Sequence, residues 1–235
     1  MSLISDKDAD VVRKEFEAHL VNPVKLLFFT QEIECQFCVE TRNLVEEVAA
    51  LSDKIITEVY DLVVDKAVAD LFGIDKIPAI AILGTVDGQD KDYGIRFYGI
   101  PSGYEFTSLI EDIMEVSVGE TSLKPKTKEA LAKITAPVHI QVFVTPTCPY
   151  CTQAVRLAHQ FAMENEHIRA DMVEAIEFPH LSNKYGVKGV PRIVFNDTLH
   201  QEGAVPEPVM LAKLLEAVTP APAKKPARRK PGARK

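Results

Sequence analysis

No run of 18 apolar residues occurs anywhere in the 235-residue chain, which excludes a membrane-spanning helix. The opening Met1-Ser2-Leu3-Ile4-Ser5-Asp6 leads into a charged segment and lacks the form of a secretory signal, so a cytoplasmic location is expected. Cysteine is scarce: there are four, and none lies outside two Cys-x-x-Cys motifs, Cys35-Gln36-Phe37-Cys38 and Cys148-Pro149-Tyr150-Cys151. Paired cysteines in a cytosolic chain are more often catalytic or metal-binding than structural, hyperthermophile interiors being the exception. Acid is absent from residues 220–235, which carry seven Lys/Arg. The formal net charge of −7 therefore hides a body near −14. What the chain does have is length and apolar content, 46% hydrophobic, enough for one large core or two smaller ones.

Periodicity orders the first half. Ser5 is an N-cap signal before Ala9, Val12, Phe16 and Leu20 at helical spacing, and Asn22-Pro23 ends that helix. Lys25–Thr30 is an apolar run of strand length leading to the first motif. A helix is expected from Val39, a strand over Ile55–Val64, a short helix over Ala67–Phe72 closed by Gly73, and a proline-opened strand over Ile77–Leu83. A turn near Asp87-Gly88, a strand over Gly94–Tyr98 and a helix over Tyr104–Val116 complete the order α-β-α-β-α-β-β-α.

The second half repeats the first at one constant offset: Cys148 falls on Cys35, Glu174 on Asp61, and Val190-Pro191 on Ile77-Pro78. The interval from Cys151 to Pro191 therefore equals that from Cys38 to Pro78. Only the hairpin is shortened, Pro191 to Gly203 being a tighter span than Pro78 to Gly99. The chain is read as a tandem duplication, residues 1–118 and 119–219, followed by a disordered basic tail over 220–235.

A strand handing over to a helix through Cys-x-x-Cys places sulfur at a helix N-terminus, where free N–H groups and the dipole favour a thiolate, with a second sulfur close enough to close a disulfide. Neither motif contains a basic residue, so any activation of the nucleophile comes from the helix end and tertiary neighbours. The competing reading is a four-thiolate zinc site, against which stand the long intervening sequence and the repeated strand-then-helix context. The six histidines are scattered, and His159, on a helix face, is read as packing.

This combination resembles the thioredoxin fold, and two such units in tandem resemble the protein disulfide oxidoreductases of hyperthermophiles, also called glutaredoxin-like proteins. Phe143–Cys151 is the stretch most similar to that family, and the likeness covers residues 1 to about 218. The resemblance implies an α/β fold of two tandem units, each a mixed four-stranded sheet flanked by helices. It implies cis peptide bonds before Pro78 and Pro191, with the backbone of Ile77 and Val190 offering hydrogen bonds to an extended substrate. It further implies a thiol–disulfide oxidoreductase in which Cys148 and Cys35 attack and Cys151 and Cys38 resolve. Cys-Pro-Tyr-Cys is the glutaredoxin sequence, so Cys148/Cys151 is expected to be the stronger pair.

Tyr150 and Phe37 are candidates either to shape the substrate surface or to cover the sulfurs. Glu47, Asp61 and Glu174 are candidate proton shuttles, with a solvated carboxylate the plainer reading for each. No metal or cofactor is expected. Protein disulfides are the expected substrates and a thioredoxin-reductase-like flavoprotein the expected electron donor; membranes and nucleic acid are not expected partners. Two other functions compete: an electron-transfer adaptor for a peroxide-reducing system, which four intact cysteines count against, and a chaperone or binding module in which the thiols are incidental.

Overall fold

In the computed structural model, residues 2–31 and 33–218 are described; the basic tail expected over 220–235 lies outside them. The N-terminal half comprises α1 (Asp6–His19), β1 (Val24–Thr30), α2 (Cys38–Ala49), β2 (Ile55–Asp61), α3 (Lys66–Leu71), β3 (Ala79–Val86), β4 (Gln89–Tyr98) and α4 (Tyr104–Val118). The second half comprises α5 (Pro125–Leu131), β5 (Val138–Val144), α6 (Cys151–Met163), β6 (Ile168–Glu174), α7 (Pro179–Lys184), β7 (Arg192–Phe195), β8 (Leu199–Glu202) and α8 (Glu207–Val218). This is the expected order, given twice. No helix among the described residues is long and apolar enough to cross a membrane.

Boundaries move for local reasons. Pro78 has no N–H to give a ladder, so β3 begins at Ala79 rather than Ile77. Asp61 accepts hydrogen bonds from the N–H groups of Val63 and Val64, which turns the chain and ends β2 before the expected Val64. Strand β4 starts before its apolar pattern does, because Gln89–Asp92 pair with β3 while facing solvent.

Each half forms a mixed four-stranded sheet, in the orders β2-β1-β3-β4 and β6-β5-β7-β8. The two sheets are not separate. Strand β4 pairs in parallel with β6, from Ile95↔Ala170 to Tyr98↔Val173, and makes one eight-stranded sheet. Along this seam Ile95, Phe97, Ala170 and Met172 enter the core that carries α1, α2, α4, α6 and α8, whereas Tyr98 and Val173 enter the core under α3 and α7. Strict alternation thus serves two faces at once.

A buried charge cluster fastens the seam on the α3/α7 face. Arg169 donates to Asp171, to the Tyr98 hydroxyl and to the Gly73 carbonyl, reaching from one unit into the other. Burial opposes the Asp171 charge, but His139 at 2.6 Å and Arg169 hold its carboxyl well below the usual carboxylate range. Pairing on both sides is what makes this buried carboxylate tolerable.

Candidate active site

Strands β1, β4, β6 and β5 all run in one direction, so the segments leaving β1 and β5 emerge at the same end of the sheet. Both Cys-x-x-Cys motifs therefore open onto one rim. Four strand spacings separate β1 from β5, which puts the motifs roughly 19 Å apart. The four sulfurs are divided between two places and do not form a single four-thiolate site.

Each motif is closed as a disulfide, Cys35–Cys38 and Cys148–Cys151, with Cα–Cα distances of 5.5 Å in both. The second cysteine of each pair is the first helical residue, and the first lies in the turn before it. At the N-cap positions stand Phe37 and Tyr150, neither of which makes a side-chain cap hydrogen bond. The first-turn N–H groups that Ser or Asp would occupy are thus left for sulfur. The two cysteines of each pair differ in exposure: Cys35 is half-buried against 3% exposure for Cys38, and Cys148 is 7% exposed against 0% for Cys151. In each pair the first cysteine is the more exposed of the two.

The Ile77–Pro78 and Val190–Pro191 peptide bonds are cis, as the resemblance implied. Register brings each proline to its motif, since Phe29 pairs with Ala79 and Phe143 with Arg192 at the strand ends from which the motif loops leave. The two sites are equivalent down to a backbone bond, Gly99 N–H to Pro78 O and Gly203 N–H to Pro191 O. Tyr150, 68% exposed, projects to solvent and does not cover the sulfurs, whereas Phe37 is half-buried.

The three acids singled out from sequence lie in different surroundings. Glu47 accepts from the N–H groups of Leu3 and Ile4 and from the Ser2 hydroxyl, so its carboxylate ties down the N-terminal segment. Asp61 is occupied by its turn. Glu174 is buried at the end of β6, with Oε2 accepting from Glu177 N–H and Oε1 without a partner among the described residues, and burial pushes its carboxyl up. Beside it Glu177 accepts from Ile100 N–H and is raised to about 7 by burial.

Sequence reasoning missed Glu105. Helices α4 and α6 pack side by side and run the same way, with contacts from Thr152 to Tyr104, Arg156 to Glu111, His159 to Asp112 and Gln160 to Glu115 at nearly constant separation along the chain. Glu105 and Cys151 share that separation and are therefore level with one another. Glu105 is 1% exposed; Oε2 accepts from the Ser108 hydroxyl, Oε1 has no partner among the described residues, and burial pushes the carboxyl up to about 7. A signal was present: Glu105, Ser108 and Asp112 share the spacing of Leu109, Ile113 and Val116, the buried stripe of α4.

The chain is similar to known proteins. A family model described as a thioredoxin domain matches residues 138–216. A protein disulfide oxidoreductase from Aeropyrum pernix is 34% identical, superposes with a TM-score of 0.84, and is covered over 93% of its length by 91% of this chain. The chain belongs to the protein disulfide oxidoreductase family. It is a thioredoxin-fold redox protein with two Cys-x-x-Cys sites. The AhpF chain of the Enterococcus faecalis alkylhydroperoxide reductase is 26% identical with a TM-score of 0.82, over 90% of this chain and 99% of that one. A Bacillus subtilis NADH dehydrogenase is 25% identical over 171 residues, 73% of this chain; the chain spans 30% of the length of that curated relative.

Proposed function

We propose that the chain reduces, oxidises or isomerises protein disulfides through both dithiols, with Cys148 and Cys35 as nucleophiles and Cys151 and Cys38 as resolving thiols. The observation that carries this reading is the repeated constellation on one rim: a disulfide whose first cysteine is the more exposed, an uncapped helix end and a cis proline at the neighbouring strand. In the reductive direction the Cys148 thiolate attacks one sulfur of a substrate disulfide, and the other substrate sulfur leaves as thiolate. Cys151, giving its proton to Glu105, attacks the Cys148 sulfur and expels the second substrate thiolate. The substrate gains two electrons and, from solvent, two protons; the enzyme is left as the Cys148–Cys151 disulfide. A dithiol donor, here a flavoprotein reductase, restores it.

The rim suits a polypeptide substrate. Exposed Ile33, Val39, Val63, Val64, Ile176 and Tyr150 follow the ends of β1, β2, β6 and β5 beside the motifs. The backbone of Ile77 and Val190, next to the cis prolines, is assigned to hold an extended segment as a strand. At roughly 19 Å the two dithiols do not exchange with each other directly, so each meets substrate or donor separately. The division into units at residues 118 and 119 belongs to the same reading, supported by the close of α4 on Gly119 at φ +78°.

Turnover of an insulin-type disulfide substrate with a generic dithiol tests the proposal. Cys148→Ser is expected to abolish most of it and Cys35→Ser to remove a smaller part; activity unchanged in both would refute it. The likeness to the AhpF chain of alkylhydroperoxide reductase favours one second reading, electron transfer to a peroxide-reducing partner. That reading predicts reduction of such a partner by Cys148/Cys151 alone, with Cys35/Cys38 dispensable.

A further inference from the structure

Behind Cys151 the seam between α4 and α6 contains more charge than the thiol exchange described above uses. His159 is fully buried two helical turns beyond Cys151, on the same face as Val155. Its Nδ1 lies 2.5 Å from Oδ2 of Asp112, also fully buried, and its ring stands edge-on to Phe97 with centroids 5.0 Å apart. His159 Nε2 has no hydrogen-bond partner among the described residues, and the same holds for Glu105 Oε1. Asp112 and Glu105 are on one face of α4, two turns apart, with Ser108 between them. The charged side chains along this seam are Glu105, Glu111, Asp112 and Glu115 from α4 and Arg156 from the helix that carries His159, and from β4 the Phe97 ring packs against His159.

A packing histidine needs no buried carboxylate, and a buried carboxylate is costly unless a cation accompanies it. Arg156 is shared among Glu111, Glu115 and Asp112, with its Nε 3.4 Å from Asp112 Oδ1. The Cys35 site has no such column: the repeat aligns His159 with Glu46, which is exposed and paired with Arg42. Among the described residues no helix packs against α2 as closely as α4 packs against α6.

We propose that Asp112 and His159 act as a positioning pair that sets the charge of Glu105, and through it the thiol chemistry of Cys148–Cys151, while leaving Cys35–Cys38 untouched. This rests on the assignment of Glu105 as the group that exchanges a proton with Cys151. Electrostatics gives the two members opposite signs. A positive charge at His159 favours ionised Glu105, and a negative charge at Asp112 disfavours it. Neutralising His159 alone leaves Asp112 opposed only by the shared Arg156; neutralising both removes the two effects together.

The test is the midpoint potential of the Cys148–Cys151 couple against pH, in full-length protein carrying Cys35→Ser/Cys38→Ser. A bend in the curve is assigned to Glu105 by its loss in Glu105→Gln. In His159→Gln, or the smaller His159→Asn that retains a donor for Asp112, the bend is expected to move up by about one pH unit, as for one charge roughly 10 Å away in a protein interior. In Asp112→Asn/His159→Gln it is expected to return toward the wild-type position, whereas disruption of packing would make the double variant worse. The Cys35–Cys38 couple, measured with Cys148→Ser/Cys151→Ser, is expected to keep its curve in His159→Gln. No movement in either single variant, or a further upward shift in the double variant, overturns the proposal while the oxidoreductase reading stands. Absence of thiol exchange at both couples in the otherwise wild-type protein overturns both.

Discussion

Asp171→Asn is the sharpest test of what joins the two units. Asp171 is fully buried and accepts from His139 at 2.6 Å and from Arg169 at 2.8 and 3.1 Å. Asparagine keeps the shape and removes the charge, leaving two cationic or polar partners facing an amide. Breaking a buried pair in this way costs about 3–5 kcal/mol. The lower end applies, because Arg169 is 27% exposed and retains the Gly73 carbonyl and the Tyr98 hydroxyl. About 3 kcal/mol is roughly two orders of magnitude in the folded-to-unfolded ratio. Denaturant unfolding at pH 7 should show this loss. The pH dependence adds a sign. The folded carboxyl lies below its unfolded value of about 3.9, so its stabilisation is complete above that pH and is lost as pH falls through the folded value. The gap between wild type and variant should persist at pH 5 and narrow below about pH 4. A gap under about 1 kcal/mol at pH 7, or one that widens in acid, would refute the reasoning.

Two further outcomes follow from the same structure. Glu105 has the opposite linkage: its folded carboxyl, raised to about 7, leaves the protein more stable below the unfolded value near 4.3 and less stable as pH climbs to 7. Glu105→Gln should therefore match wild type near pH 4 and exceed it at pH 8 by up to about 4 kcal/mol, as read from urea midpoints; a loss at both pH values would contradict the assignment. Gly103 sits at φ +60°, and a Cβ there would lie 2.2 Å from the Pro146 carbonyl oxygen, which also accepts from Tyr104 N–H. Gly103→Ala should destabilise by about 2 kcal/mol or more and alter alkylation of Cys148 but not of Cys35; unchanged kinetics at Cys148 would show that the loop does not set that site.

The duplication was legible because chemistry and spacing agree: sulfur, acid and proline recur at one offset, and local periodicity suffices for most elements between them. The cysteine and proline positions at each site were legible for the same reason. Strand pairing across the seam was not. The 95–98 stretch of β4 reads as an ordinary alternating strand, and nothing within it reveals that its free edge is covered by Ala170–Val173 from the other unit. Glu47 looked available because it borders an apolar helix face, but its partners come from the N-terminal segment, far off in sequence on the other side of α1 and β1. Glu105 and Asp112 were overlooked for the converse reason. Acids at core positions of a helix have meaning only once the facing helix, with Cys151, Arg156 and His159, is in place.

Both motifs are proposed to act as exchanging dithiols, with Cys148/Cys151 the principal pair. The most direct test is a redox titration against glutathione, with thiol alkylation and mass readout, on wild type and on Cys35→Ser/Cys38→Ser and Cys148→Ser/Cys151→Ser. Two separate two-electron couples are expected, with insulin reduction lost mainly in the Cys148/Cys151 variant. Two pairs that resist oxidation in a protein retaining stoichiometric zinc would contradict that proposal.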